Sequence, residues 1–567
     1  MNRFVSPLKA FLPKNVSSEL GYWLRGGQIN PDANKAMESI KTKWDAVERD
    51  LICQTSLKQN FLFATGYGLG SHYQTIEPMI AEALRSKGHT ITSIICGSTL
   101  EACEMNLVGG CGNDLPSGLK VGLSKASNTR VCRQCCRNIR RFYNNFDFEL
   151  VEFKEFLNSK DYDEAYEFAE NFATFNDYQS AMVHGVNVGE EVNSSIIRAT
   201  FMGEVKRTPE NLKHIKRYLY SGFLAVSAYR RCIIERQIDK VVTIHGVYLV
   251  HGLAAKVGRS LGIPTWVLGG GGIRKNTVIV SADDTYHRTL VEEPNDSWKD
   301  SAISDLEKQS VLDYARRKKF DGGAADYCLY NPNPIEDKKA VLDILGISSE
   351  KPIVSIFTNV IWDAQVIYSS NAFKDIFDWM KQTIDNLAQN KDVNAVVRIH
   401  PAEVKGNTNP TMQKMASEID RMFPVLPDNI FIVPPESDIS SYTLADLSVG
   451  CIVYGTKLSL EMALMGRRVI VCGETFSRGK GFTIDIADEA QYATLCADIQ
   501  SVGQMSEKEM DLALKYANYL YFNRMIDLPY DAGSGDASGS GKSLGFSKTS
   551  ELLQAHGIVK ILEILEG

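Results

Sequence analysis

The sequence predicts an α/β protein of two domains, each built on a parallel sheet. Three observations carry that prediction. Short apolar runs recur at strand length, glycine-rich turns follow them, and amphipathic stretches of helical length separate one run from the next. The chain has 567 residues, 44% of them hydrophobic and 23% charged, which is enough to bury more than one core.

The first unit is "NFLFATGYGLGSHYQTIEPMIAEALRSKGHTITSIIC". Phe61 to Ala64 read as a strand. Ile76, Met79, Ile80, Ala83 and Leu84 mark one face of a helix, and Gly88 ends it before a second strand at Ile91 to Ile95. A helical stretch from about 151 to 237 follows. "KVVTIHGVYLVHGLAAKVGRSLGIPTWVLGG" then repeats strand, turn, helix, glycine, strand. A third set runs from 351 to 473 through "KPIVSIFTNV", "NAVVRIHPAEV", "NIFIVPP" and "LSVGCIVYGTKLSLEMALMGRRVIVCG". Parallel strands need crossover helices, and this rhythm supplies them. The Asn-Pro turns near 335 to 350 mark the switch between domains. The expected organisation is a helical extension over 1–55, an amino-terminal domain over 56–345 with a cysteine-rich insertion at 96–136, a carboxy-terminal domain over 346–525, and a Gly/Ser linker with a final helix over 526–567. "DAGSGDASGSGKSLG" in that linker imitates a phosphate-binding loop, but Asp536 stands where its first glycine belongs and no apolar strand precedes it.

Charge and targeting signals narrow the function classes. A net charge of −7 without a long basic run gives no sign of a nucleic-acid partner. No stretch reaches the ~18 apolar residues of a spanning helix, and the opening residues lack the apolar core of a signal peptide. A cytoplasmic protein is expected. Phe4, Val5, Leu8, Phe11 and Leu12, with Lys9 and Lys14, offer an amphipathic alternative that rests on the inner membrane face.

Six of the twelve cysteines lie between 96 and 136. Cys103, Cys111, Cys132 and Cys135 are candidate ligands of a structural zinc ion, the last two in Cys-x-x-Cys spacing; the alternative is a set of free thiols.

Polar groups cluster where the proposed strands end, the edge at which open parallel sheets hold ligands. Arg398, His400 and Pro401 close one strand of the second domain. Gly455 permits a turn after another, followed by Thr456, Lys457, Ser459 and Glu461 at a helix start. A phosphate suits the backbone N–H groups and hydroxyls of such a turn, and Glu461 lies one turn on, in reach of ribose hydroxyls. In the first domain, Gly70 and His72 follow the first strand and His245 ends another; either imidazole has the pKa range of a general base.

Arg-x-His-Pro at 398 to 401, together with "YGTKLSLEMALMGRRVIV", "HGVYLVHGLAAKVGRSLGIP", "RKNTVIVSADDTYHRTL" and "FTNVIWDAQVIYSSNAFKDIFDWM", resembles bacterial surface and capsule polysaccharide glycosyltransferases of the GT-B fold. The likeness covers most of 60 to 530. It implies two Rossmann-like domains facing each other across a cleft, with a carboxy-terminal helix returning to the first. The second domain would bind a nucleotide-sugar donor, and the first a glycan or lipid-linked acceptor. His-Pro is also similar to a motif of sialyltransferases, 3-deoxy-manno-octulosonate transferases and glycerophosphate polymerases, which points to a CMP- or CDP-linked donor, with UDP- and GDP-linked donors as the alternatives. The resemblance makes Arg398, His400, Pro401, Gly455, Thr456, Lys457, Ser459, Glu461 and Lys480 the donor side, His72 and His245 the catalytic candidates, and Gly70, Arg274, Lys275, His287, Asn359 and Asp363 the rest of the cleft. Cations and backbone dipoles would stabilise the leaving nucleotide, so no catalytic metal is expected. A sugar-nucleotide 2-epimerase of similar fold and a non-catalytic scaffold of a polysaccharide assembly complex are the alternatives.

Overall fold

In the computed structural model the described residues are 31–49, 57–66, 68, 73–105, 129–172, 178–269, 273–282, 284–321, 330–348, 350–363, 372–405, 411–531 and 543–567. The amphipathic stretch at residues 4–12, His72, Gly70, Cys111 and the loop 532–542 therefore lie outside them.

Two large sheets organise the chain. The first takes β1 (Asn60–Gly66), β2 (Thr90–Ile95), β3 (Glu149–Glu152), β6 (Lys240–Ile244), β7 (Thr265–Gly269), β8 (Thr277–Ala282) and β15 (Ile526–Asp527), in the order β15-β8-β7-β6-β1-β2-β3. Strands β4 (Met182–Val183) and β5 (Val186–Asn187) form a separate short hairpin. The pairs from β3 to β7 are parallel, while β8 and β15 add antiparallel at one edge. The second sheet is parallel throughout. It comprises β9 (Ile353–Phe357), β10 (Asn394–Arg398), β11 (Ile430–Val433), β12 (Ser448–Val453), β13 (Val469–Val471) and β14 (Ile484–Asp485), in the order β11-β10-β9-β12-β13-β14.

Both sheets are covered on both faces, and the alternation of side chains shows it. Leu62 and Ala64 of β1 enter the core under the long helix Pro209–Glu235 and the helix Leu253–Ser260. Phe61 and Phe63 point the other way, to the helix Tyr73–Ser86. Ile353, Val396 and Val453 fill one side of the second sheet, and Val354, Ile356, Val397 and Ile452 the other. Strands buried on both faces read as continuous apolar runs, which is why the sequence displays them so plainly.

The chain crosses between the sheets more than once. Leu290, Trp298, Val311 and Tyr314 pack in the same core as Val453, Leu460 and Tyr516, so the segment after β8 leans on the second sheet. After the helix Glu507–Asn518 the chain returns, and β15 pairs with β8. The helices Thr549–Gln554 and His556–Glu566 then cover the first sheet through Leu552, Ile558, Ile561, Leu562 and Leu565. Lys240 Nζ donates to the carbonyls of Leu565 and Glu566, and Lys87 Nζ pairs with the Glu566 carboxylate at 2.6 Å. The arrangement expected from the GT-B resemblance, two Rossmann-like domains with a carboxy-terminal return to the first, is the one observed. No helix among the described residues is long and apolar enough to cross a membrane.

Candidate active site between the two sheets

In each sheet the chain first builds outward on one side of its opening strand and then jumps to the other. The jump in the first sheet falls between β1 and β6, and in the second between β9 and β12. Loops diverge at such switch points and leave a crevice at the carboxyl ends of the strands.

His245 stands at the first switch point, directly after β6. Its backbone is left-handed at φ 68°, as are Gly246 at 67° and Tyr248 at 70°. For a histidine and a tyrosine that conformation is strained, and strain of this kind collects at functional sites. The imidazole packs between Tyr248, Tyr286 and His287, with ring centroids 5.5, 6.2 and 5.6 Å away. Nδ1 of His245 is inaccessible and has no hydrogen-bond partner. Burial, then the nearby Arg198 cation, push its pKa down to about 4, so the ring is neutral at pH 7. The His287 pKa is also held well below its usual value, by burial and by His245.

Asn359 and Gly455 mark the second switch point. The Asn359 carboxamide accepts from Gly455 N at 3.0 Å and donates to Gly455 O at 2.7 Å, tying the loop after β9 to the turn after β12. A Cβ on Gly455 would lie 2.7 Å from Glu474 O, so only glycine allows this approach. Thr456 Oγ1 accepts from Leu458 N at 3.3 Å, and Thr456 O accepts from Ser459 Oγ at 2.9 Å. Ser459 in turn shares a 2.5 Å contact with Ser477. On the neighbouring strand, His400 N donates to Thr358 Oγ1 at 2.9 Å. His400 Nδ1 accepts from Ala402 N at 3.1 Å and so caps the short turn that Pro401 begins. Burial and the cations Arg398 and Lys457 lower the His400 pKa to about 4.

Several residues with the chemistry of ligands are engaged by the protein itself. Arg398, 2% exposed, donates to the carbonyls of Ile399, Pro434 and Ser437 and holds the loop after β11. Glu461 accepts from Lys318 Nζ and from Tyr442 OH, each at 2.8 Å. Lys480 is buried, donates to Glu293 O at 3.1 Å, and lies 5.5 Å from the Tyr516 ring. Arg274 pairs with Asp527 at 2.7 Å and sits over Phe522, which fastens the returning segment. Lys275 lies beside it, near the first sheet's antiparallel edge. Asp363 lies in the segment after β9, exposed, with its N–H on Val360 O. Glu403, buried beside His400, accepts from Met415 N, and burial lifts its pKa to about 7.

Arg198 was invisible to motif reading and is the residue that joins the two edges. It sits near the end of the helix Gly189–Thr200 in the first domain. Its guanidinium lies 4.5 Å from the Trp362 ring, in the loop after β9, and close enough to His245 to lower that pKa. Nη1 of Arg198 is buried without a partner. Around it the chain is docked: Phe201, at φ 54°, packs edge-on against Trp362, Met412 N donates to Phe201 O, and Gly203 N donates to Gln413 Oε1. A second approach runs through Arg288, whose charge acts on Glu474 beside Gly455.

The sequence contains an Asp-x-Asp triplet, Asp161-Tyr162-Asp163, which does not belong to this site. Asp161 pairs with Arg231 and caps its own helix through Asn158 N.

The cysteine cluster lies in the first domain. Cys96, Cys103, Cys132, Cys135 and Cys136 line one cavity of about 30 Å³ next to Gly66. Burial raises Cys96 to about 12 and Cys132 to about 11. Among the described residues no three His, Cys, Asp or Glu side chains are placed to hold a metal ion, and Cys111 lies outside them.

No family model matches the chain, and no curated protein matches it by sequence. Solved structures do resemble it. A Thermosulfurimonas dismutans KpsC, a beta Kdo 2,4 transferase, is 12% identical over 56% of this chain and 87% of its own, with a TM-score of 0.32. Acinetobacter baumannii MurG is 8% identical over 90% and 99%, with a TM-score of 0.26. The UDP-GlcNAc 2-epimerase of Neisseria meningitidis is 9% identical over 85% and 97%, with a TM-score of 0.23. At these identities and TM-scores the neighbours do not fix an activity.

Proposed function

We propose that the chain is a glycosyltransferase that moves a sugar from a nucleotide-activated donor, CMP- or CDP-linked, to a glycan or lipid-linked acceptor of a surface polysaccharide. The observation that carries this reading is the pair of buried, unpartnered polar atoms, Arg198 Nη1 and His245 Nδ1, at the place where two switch-point crevices meet. A ligand at that junction would supply the missing partner of both. The motif resemblance at 398–401 and 454–471 supports a nucleotide on the second sheet.

In this reading the Gly455 turn, with Thr456 and Lys457, receives the donor phosphates, while Asn359 and His400 hold the loops around it. Arg198 faces the bridging oxygen. The bond between the anomeric carbon and the phosphate oxygen breaks with its electron pair on the phosphate, which the Arg198 charge stabilises. The acceptor oxygen forms the new bond to the anomeric carbon, and its proton passes to the neutral His245 imidazole. The reaction would take place at the cytoplasmic face of the membrane, where donor and lipid-linked acceptor meet.

Incubating purified protein with CMP-, CDP-, UDP- and GDP-sugars tests the proposal. Release of a cytidine nucleotide, accelerated by a glycan acceptor and reduced in Arg198→Ala, is expected. An isomerised but intact donor would replace it with the epimerase reading, and absence of donor binding with the scaffold reading.

A further inference from the structure

The helix Thr129–Tyr143 carries an arginine stripe that the transfer reading does not use. Arg133, Arg137, Arg140 and Arg141 are all exposed, while Val131, Ile139 and Phe142 on the opposite side are buried in the first domain. Spacings of four and seven residues set Arg133, Arg137 and Arg140 above one another on a single face. Like charges four apart destabilise a helix, so the stripe works against its own helix unless something offsets it. Arg140 pairs with Glu152, which Lys154 also holds, and Arg141 pairs with Glu38. Arg137 has no ion-pair partner among the described residues.

These side chains line an open cavity of about 760 Å³, with Lys41 of the helix Pro31–Asp45 on the facing wall. Lys41 is paired with Asp45 on its own helix. Ser98 and Cys136 form the floor, their Oγ and Sγ atoms 3.1 Å apart. Ser98 follows β2, at the carboxyl edge of the first sheet, with left-handed φ of 66° next to Gly97 at 61°. A Cβ on Gly97 would come 2.6 Å from Glu152 Oε2, so the glycine is required for the wall that Arg140 and Glu152 make. A strained hydroxyl-bearing residue at a sheet's ligand edge, beneath a row of guanidinium groups, is a construction for an anion. It occurs in a chain whose net charge is −7, where a general cationic surface does not explain it.

We propose that this cavity is a binding site for a phosphate-bearing anion, separate from the Arg198 and His245 junction. Guanidinium groups match phosphate oxygens in paired N–H···O contacts, and the volume admits a diphosphate or a lipid headgroup. The proposal stands independently of the transfer reading, because its test reads binding alone.

The test compares the full chain with the Arg133→Glu/Arg137→Glu double variant, whose substitutions are on the exposed face; an unchanged unfolding midpoint confirms the fold. Inorganic pyrophosphate is titrated calorimetrically, and vesicles of phosphatidylglycerol in phosphatidylcholine are used for cosedimentation. Binding of either probe, weakened at least tenfold in the variant and severalfold by raising salt from 50 to 200 mM, is the expected result. Pyrophosphate alone identifies a soluble or substrate-borne phosphate; vesicles alone identify a headgroup. Binding that the variant retains, or absence of binding by both probes, overturns the site.

Discussion

The two switch points are built alike and finished differently. At the second, loops close on one another: Asn359 grips both backbone groups of Gly455, Thr358 receives His400 N, and Glu461 is bound by Lys318 and Tyr442. Arg398 Nε and Glu403 Oε2 are the exceptions there. At the first, the backbone is strained at His245 and Tyr248, and polar atoms of His245 and Arg198 are buried without partners. The difference between the edges lies in the backbone, which is strained at the first and tied by reciprocal loop hydrogen bonds at the second; in the proposed reading the second positions the donor and the first meets the reactant.

The comparison is broken most forcefully on the scaffold side. Lys318→Met leaves the Glu461 carboxylate buried at the second edge, and breaking such a pair costs about 3–5 kcal/mol. The side chains are 3% and 7% exposed, so solvent screens little of it. Denaturant unfolding should show the loss, and a midpoint equal to that of the unaltered chain would mean that the edge is not held in this way.

Arg198→Ala attacks the reactive side. Turnover should fall by about a hundredfold, in line with removal of one transition-state donor, while the unfolding midpoint changes far less than in Lys318→Met. Nucleotide release within threefold of the parent chain would remove Arg198 from the site.

A subtler contrast is electrostatic. Burial first, and then Arg198, lowers the His245 pKa to about 4, so the base form persists at every pH above that value. The acid limb of the rate profile should therefore lie near pH 4 instead of near 6.5, and Arg198→Ala should move the limb upward, because the cation that opposes protonation is gone. For stability the sign is the same. In the unfolded chain His245 and His400 take up protons below about 6.5, whereas in the fold both resist until about 4. Stability from this source is complete above 6.5 and declines as pH falls through that window. A limb at 6.5 that Arg198→Ala leaves in place would dissociate His245 from catalysis.

The smallest effect concerns the first domain's interior. Cys96 and Cys132 are held as thiols by burial, with pKa values of about 12 and 11. Because the thiolate is the reactive form, iodoacetamide should modify them slowly at pH 7.5 in the native chain and rapidly after unfolding. Rapid native labelling, located by mass spectrometry, would contradict the closed cavity described here.

Much of the fold was legible in the sequence. Strands covered on two faces leave uninterrupted apolar runs, and crossover helices leave a helical period between them, so β1, β2, β6, β9, β10 and β12 were visible without coordinates. The final segment was legible as an amphipathic helix, in which Ile558, Ile561, Leu562 and Leu565 repeat at helical spacing, but its return to the first sheet was implied only by the resemblance. The chemistry was legible only as residue types at strand ends. Arg398, Glu461 and Lys480 have the groups of ligands, and tertiary neighbours more than thirty residues away engage them: Pro434, Lys318 and Glu293. Arg198 shows the reverse case. Nothing near it in the chain marks it, because its meaning comes from Trp362 and His245, each distant in sequence.

By itself the sequence determined where strands, helices and tight turns form, because burial pattern and backbone freedom are local properties of the chain. Only the tertiary structure decided which polar groups are satisfied and which remain open, because a hydrogen bond depends on whatever partner the fold brings within about 3 Å.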